Sequence, residues 1–274
     1  MLSPSLKGLR LQASLAGILT AGLLIGANAW AETPEEKGLR IMQESEQRDE
    51  GWGDSKADLE MILRKANGRE VVRKISSQAL EGDNGHDKSL IEFKEPLDVR
   101  GTVFLTHSHP LEPDDQWIYL PALERTKRIS SKRQTGRFMG SEFTYEDLSA
   151  FSVQKYDYRY LKEAPCGEPA QDCHVIELTP KNKYSGYSKG VVYIDKEHLR
   201  LYRNELYNKR SGKHQKTLTA KSYQQYLGQY WRPDTMLMKN EQTGDETELH
   251  FHNQEYRSGV RAADFRKSAL EGRQ

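Results

Sequence analysis

Gln116-Trp117-Ile118-Tyr119-Leu120 is apolar or aromatic on both faces that a β-strand presents. Successive side chains of a strand point to opposite sides, so such a strand needs cover on both sides. Working outward, strand-like runs recur along most of the chain. They are Ala57–Lys65, Glu70–Leu80, Lys88–Lys94, Gly101–Ser108, Gln116–Leu120, Arg125–Ser131 and Lys155–Leu161, then Cys173–Thr179, Gly190–Asp195, Leu199–Tyr207, Thr217–Tyr226, Tyr230–Lys239 and Glu246–Glu255. Turn signals part them, among them Asn67-Gly68, Gly82-Asp83-Asn84-Gly85, Ser211-Gly212 and Thr243-Gly244-Asp245. The gaps are too short for crossover helices, so the sheet is expected to be mainly antiparallel. It can close as a barrel or curl as an open sheet. In a curled sheet, helices cover the concave face, and the space beneath them is either core or a ligand cavity.

Three stretches fall outside this pattern. Thr33-Pro34-Glu35-Glu36 opens a helix: Thr33 can cap, Pro34 suits the first turn and the glutamates favour the positive end of the dipole. This helix should end near Gly51-Trp52-Gly53. Phe138 to Ala150 reads as a loop with a short helix, and Ala262 to Leu270 as a last helical turn or two.

Residues 1–31 read as a cleaved export signal. Lys7 and Arg10 give a positive start, Leu11 to Ala29 is largely apolar, and Ala29-Trp30-Ala31 has the small-x-small pattern of a cleavage site. The alternative is an uncleaved membrane anchor, but the run is short and broken by Gly17, Gly22 and Gly26. No cysteine follows it, which excludes an N-terminal lipid anchor. Residues 32–274 are then expected to form a single periplasmic domain, a monomer. In that compartment Cys166 and Cys173 should be oxidised, closing a short turn-rich bridge. A redox-active pair is the rival reading, and its spacing is wide for such a site.

Composition narrows the function. Lys and Arg number 41 against 40 Asp and Glu, a balance that gives no long-range attraction for nucleic acid. Gly186-Tyr187-Ser188-Lys189-Gly190 matches the pattern of a hydrolase nucleophile elbow, yet a strand rather than a helix follows it, so no catalytic residue is expected. His107-Ser108-His109 and His250-Phe251-His252 can each place two imidazoles on one face. Neither has a clear third ligand, so no metal or other cofactor is expected. Arg125-Thr126-Lys127-Arg128 begins a basic run that is either a solvated strand or, through Arg125, Lys127 and Arg128, a contact for an anionic head group or an acidic partner.

One ordered set of segments carries a resemblance. It comprises Gly101-Thr102-Val103-Phe104-Leu105, Asp115 to Leu123, Arg125 to Ile129, and Phe138-Met139-Gly140-Ser141-Glu142-Phe143-Thr144-Tyr145-Glu146-Asp147-Leu148. Together with Tyr230-Trp231-Arg232-Pro233 and Thr243-Gly244-Asp245-Glu246-Thr247, it resembles the outer-membrane lipoprotein-sorting proteins, the LolA-like family. The resemblance implies a mainly β (α+β) fold, a strongly curved, incomplete antiparallel β-barrel covered by a few helices. It also implies a non-enzymatic periplasmic carrier or chaperone that holds acyl chains of lipoproteins or lipids in a hydrophobic cavity. A further implication is association with an inner-membrane transporter of the RND/MMPL type, and the alternative function is a periplasmic adaptor or regulatory protein of such a transporter, or a lipid sensor. Phe104, Trp117, Tyr119, Phe138, Met139, Phe143, Tyr145 and Leu148 are the residues expected to line or cover the cavity. Phe138–Leu148 is expected to be the cover, and the alternative is that it plugs the barrel as core.

Overall fold

A computed structural model describes residues 31–271. The predicted export signal lies outside the described residues, apart from Ala31. The first element is helix α1 (Pro34–Arg48). The Glu36 amide donates to Thr33 Oγ1 at 3.2 Å and the Thr33 amide donates to Glu36 Oε2 at 2.9 Å, a reciprocal cap. The helix stops at Arg48, short of Gly51, because the Asp49 amide turns back to the carbonyls of Gln47 and Glu46.

Thirteen strands follow. They are β1 (Asp54–Arg64), β2 (Glu70–Leu80), β3 (Lys88–Glu95), β4 (Val103–His107), β5 (Asp115–Leu120) and β6 (Arg125–Ile129), then β7 (Tyr156–Cys166), β8 (Gln171–Pro180), β9 (Tyr187–Asp195), β10 (Leu201–Asn208), β11 (His214–Tyr226), β12 (Tyr230–Asn240) and β13 (Glu246–Tyr256). All belong to one antiparallel sheet in the order β6-β5-β4-β3-β2-β1-β13-β12-β11-β10-β9-β8-β7. The first six strands step outward to one edge, and the last seven start at the other edge and step back until β13 pairs with β1. The sheet is therefore open, a curved incomplete barrel, and residues 130–155 must carry the chain from one edge to the other.

Alternation explains which side each strand buries. In β1, Leu59, Met61 and Leu63 are buried and the residues between them are not. Burying a side chain of this size contributes about 1.5–3 kcal/mol. These residues join Ile75, Phe93, Phe104, Ile118, Met238 and Leu249 in the main core on the concave face. A second concave cluster forms where Ile41 and Met42 of α1 meet Ile176, Leu178, Val192 and Ile194. On the convex side, Val103, Leu105 and Tyr119 are covered by Val260, Phe265 and Leu270 of the C-terminal segment, so β4 and β5 are indeed covered on both faces.

The cover of the sheet is built from short helical pieces. Among the described residues there is one α-helix, and the remaining cover is built from short 3-10 turns such as Phe138–Gly140 and Glu146–Leu148. The left-handed backbone of Met139 (φ 48°) and Gly140 (φ 79°) reverses the chain between Phe138 and Phe143 before a regular helix can form.

Cys166 and Cys173 form a disulfide across the β7–β8 hairpin, with their Cα atoms 5.9 Å apart. Cys173 is fully buried, which suits a structural bridge. Replacing both with Ser should lower stability by about 2–3 kcal/mol, the chain-entropy value for so short a loop. Urea titration of the double variant checks this. A stability equal to that of the reduced parent and well below that of the oxidised parent is expected.

Candidate functional site

The concave face is not packed throughout. Between the main core and the α1 cluster lies a cavity of about 1280 Å³. Its floor comes from alternate residues of four neighbouring strands: Gly190 and Val192 of β9, Asn204 and Leu206 of β10, Leu218 and Ala220 of β11, and Met236 and Met238 of β12. Register places them side by side, Val192 opposite Asn204, Asn204 opposite Leu218, and Ala220 opposite Met236. Gly190 keeps the floor flat, since a Cβ there would stand 2.9 Å from Asn204 Oδ1. The volume exceeds the ~300–1,000 Å³ of ordinary small-ligand pockets. Two unbranched methionines give part of the wall the adaptability that a cargo of variable shape requires.

The lip is aromatic and charged. The Arg200 guanidinium lies over the rings of Trp231, Tyr202 and Tyr223 at 4.8, 5.5 and 5.5 Å, and it donates to Asp195 at 2.8 Å. His198 stacks on Trp231, with ring centroids 4.8 Å apart. Arg232 is paired with Asp49 just beyond α1. The end of α1 is tied to the same lip, with Ser45 Oγ donating to the Leu199 carbonyl at 3.2 Å and Arg48 to that of Glu197 at 2.9 Å.

The edge-to-edge segment 130–155 closes one side. It is strapped across the concave face by bonds to strands from β2 to β13. Arg73 donates to the Met139 carbonyl at 2.5 Å, Gln116 to the Tyr145 carbonyl at 2.9 Å, and Glu142 N to Thr247 Oγ1 at 2.9 Å. Buried Lys216 bonds the Glu142 carbonyl at 3.0 Å and Asp147 Oδ2 at 2.7 Å, while Tyr187 donates to Asp147 Oδ1 at 2.8 Å. Such a buried, fully bonded ion pair is costly to break.

The residues predicted from sequence divide into three groups. Phe143 lines the cavity. Phe104, Phe138, Met139, Tyr145 and Leu148 belong to or pack on the main core beside it. Trp117 and Tyr119 lie on the convex face with the C-terminal segment, because they alternate with Ile118 along β5. Arg125, Lys127 and Arg128 are exposed on β6, an edge strand. The floor residues of β9 to β12 were not anticipated; their only signal is apolar alternation, as in Leu218-Thr219-Ala220, which ordinary core strands share. The two histidine pairs have local roles. His107 bonds the Phe265 carbonyl at 2.8 Å, His109 bonds Asp115 at 3.2 Å, and the His250 and His252 rings stack 6.4 Å apart. No group of three metal-ligating side chains occurs among the described residues. Ser188 sits within β9 and donates to the Tyr207 carbonyl at 3.3 Å.

Glu146 offers a pH signature of the strap. Burial raises its carboxyl above the ordinary glutamate range, and the Gly186 amide, donating at 2.9 Å, offsets this only in part. A carboxyl raised on folding costs stability as pH climbs from its unfolded value, near 4.5, through its folded one. Glu146→Gln should therefore be more stable than the parent at pH 7 and equal to it below pH 4.5. Thermal unfolding across that range checks the sign.

A family model described as an uncharacterized protein matches residues 85–272. Among solved structures, a domain from Vibrio parahaemolyticus named for outer-membrane lipoprotein sorting is 49% identical to this chain. It covers 86% of this chain and 99% of its own length, with a TM-score of 0.84. The chain belongs to the LolA-like lipoprotein-sorting family. A DUF1329 family protein from Desulfovibrio piger is 30% identical, with 87% of this chain and 99% of that one covered and a TM-score of 0.81. A LolA superfamily protein from Nitrosomonas europaea shares the fold, at 19% identity, 84% and 98% coverage and a TM-score of 0.66. A search of curated proteins returns no match. In LolA-like terms, the curved sheet, the single helix and the strap surround the cavity described above.

Proposed function

We propose that this LolA-like protein is a non-enzymatic periplasmic carrier that shelters acyl chains of a lipoprotein or lipid in the cavity of the concave face, for sorting to or export through the outer membrane. The observation that carries this reading is the apolar floor shared by β9 to β12 in a cavity of about 1280 Å³. Each methylene moved from water onto such a surface gains about 0.8 kcal/mol, so one long chain supplies enough to hold a guest reversibly. The reading includes export by residues 1–31 and a single monomeric domain over residues 32–274, with Phe143 at the junction of cavity and core. Protein purified from its native periplasm should release acylated species into organic solvent, identified by mass spectrometry. Extracts no richer in acyl species than those of an unrelated periplasmic protein end the proposal.

The exposed edge strand β6 favours a second role on the same scaffold, docking to an inner-membrane transporter of the RND/MMPL type. Arg125, Lys127 and Arg128 stand exposed on it. Reversing all three to Glu should abolish cross-linking to such a transporter while leaving acyl content unchanged. Loss of acyl content with cross-linking intact contradicts the role.

A further inference from the structure

Two neighbouring strands part company at one end of the sheet. β12 and β13 are each 11 residues long. They pair with one another only from the Thr235–His250 pair to the Lys239–Glu246 pair. Beyond that point β12 keeps to β11 and β13 keeps to β1. Tyr230 is paired with Tyr226 and Pro233 with Tyr223, while Phe251 is paired with Leu59 and Tyr256 with Ser55. Residue types explain the parting. Pro233 has no N–H to give a neighbour, and a proline within a sheet is confined to an edge or a bulge. Asn253 has a left-handed backbone (φ 49°), where the β1 register shifts between Lys56 and Asp58. A bulge of this kind bends a strand away from its partner. Residues 230–234 and 251–256 therefore form two arms whose facing edges do not form a ladder with each other.

The β12 arm is shared with the cavity. Trp231, Arg232 and Pro233 line the large cavity, at the lip where Trp52 and Gln229 also stand. The next two residues, Asp234 and Thr235, line a second hollow of about 530 Å³, whose other wall is His250, His252 and Asn253 of β13. This lining differs from the cavity floor. It is mainly carboxylate, hydroxyl, imidazole and amide, and Asp234 is held by Gln224 at 2.7 Å. Such a surface suits a hydrated polypeptide, whereas the Leu, Val and Met floor suits hydrocarbon. An open strand edge binds an extended peptide through main-chain hydrogen bonds, with little demand on its sequence. A guest with its acyl chain on the floor and a peptide attached would pass the lip directly into the cleft.

We infer that the cleft between the β12 and β13 arms binds, as an added strand, the extended polypeptide attached to the acyl group of a lipoprotein. This rests on the carrier reading above and selects lipoprotein over free lipid as its cargo. The test uses purified, delipidated protein and three probes: palmitate, the amide of N-palmitoyl-Ser-Thr-Ser-Thr, and the same lipopeptide with every backbone nitrogen methylated. The lipopeptide should slow hydrogen exchange in residues 230–234 and 251–256 by at least roughly tenfold, and palmitate should leave these residues unchanged. In calorimetric titration the methylated lipopeptide should bind at least roughly tenfold more weakly than its parent, because it has lost its main-chain donors. A bound lipopeptide that leaves both arms unprotected, or a methylated form that binds as tightly as its parent, overturns the inference while the carrier reading stands. Failure of palmitate and both lipopeptides to bind overturns the carrier reading and this inference with it.

Discussion

Phe138→Ala lowers the unfolding free energy by about 3–5 kcal/mol, the cost of emptying a large aromatic site in a packed core. The ring is fully buried, with Phe104 at 5.1 Å, Tyr145 at 5.6 Å and Phe93 at 5.7 Å between centroids. Nothing nearby is free to collapse into the space, because Phe93 and Phe104 belong to sheet strands and Tyr145 is held through its carbonyl by Gln116. For a domain of this length that loss corresponds to roughly 6–20 °C in melting temperature. Calorimetry decides between the two sequence readings of Phe138–Leu148. A movable cover that packs little would lose under ~1 kcal/mol on this substitution; the burial of Phe138 predicts the larger loss.

Leu218→Asp has the largest expected effect on cargo. Leu218 is only partly buried and faces the cavity from β11, opposite Asn204. In the unloaded protein a carboxylate there has room to keep its water, so the fold should lose little. A hydrocarbon chain laid on the same floor would strip that water, at a cost of several kcal/mol for an unpaired charge. Acyl content should fall by about two orders of magnitude, since each ~1.4 kcal/mol is a factor of ten. Mass spectrometry of extracts, beside the circular dichroism and melting curve of the same preparation, reads both halves of this statement. Full acyl content in a folded Leu218→Asp protein counts directly against the floor as the binding surface.

Much of the fold was legible because antiparallel strands write a local code. Alternation and turn residues located most strands to within three residues, and β2 matches its predicted bounds, Glu70–Leu80, while β7 runs five residues past the expected Leu161 to Cys166. The site was far less legible. Trp117 and Tyr119 look like ligand residues by type, yet the pleat sends them to the face opposite Ile118, and only the path of the C-terminal segment shows that this face is covered. Residues 130–155 carry aromatic residues at no regular period, so nothing local separates a lid from a plug. The cavity floor uses the same Leu, Val and Met residues as any core strand. What makes it a floor is a partner that is missing above it, and that depends on how far α1 and the strap reach across the sheet.

The pairing of β1 with β13 has a consequence for biosynthesis. Leu59 meets Phe251, a partner that lies almost a whole chain away. A ribosome or a translocation channel delivers the N-terminal strands first, so β1 must wait with one edge bare while everything up to β13 emerges. Such an edge invites intruding strands from neighbouring polypeptides. Shortening the delay, by a circular permutant that runs β13 directly into β1, would turn the sheet into a plain meander that can zip up in order.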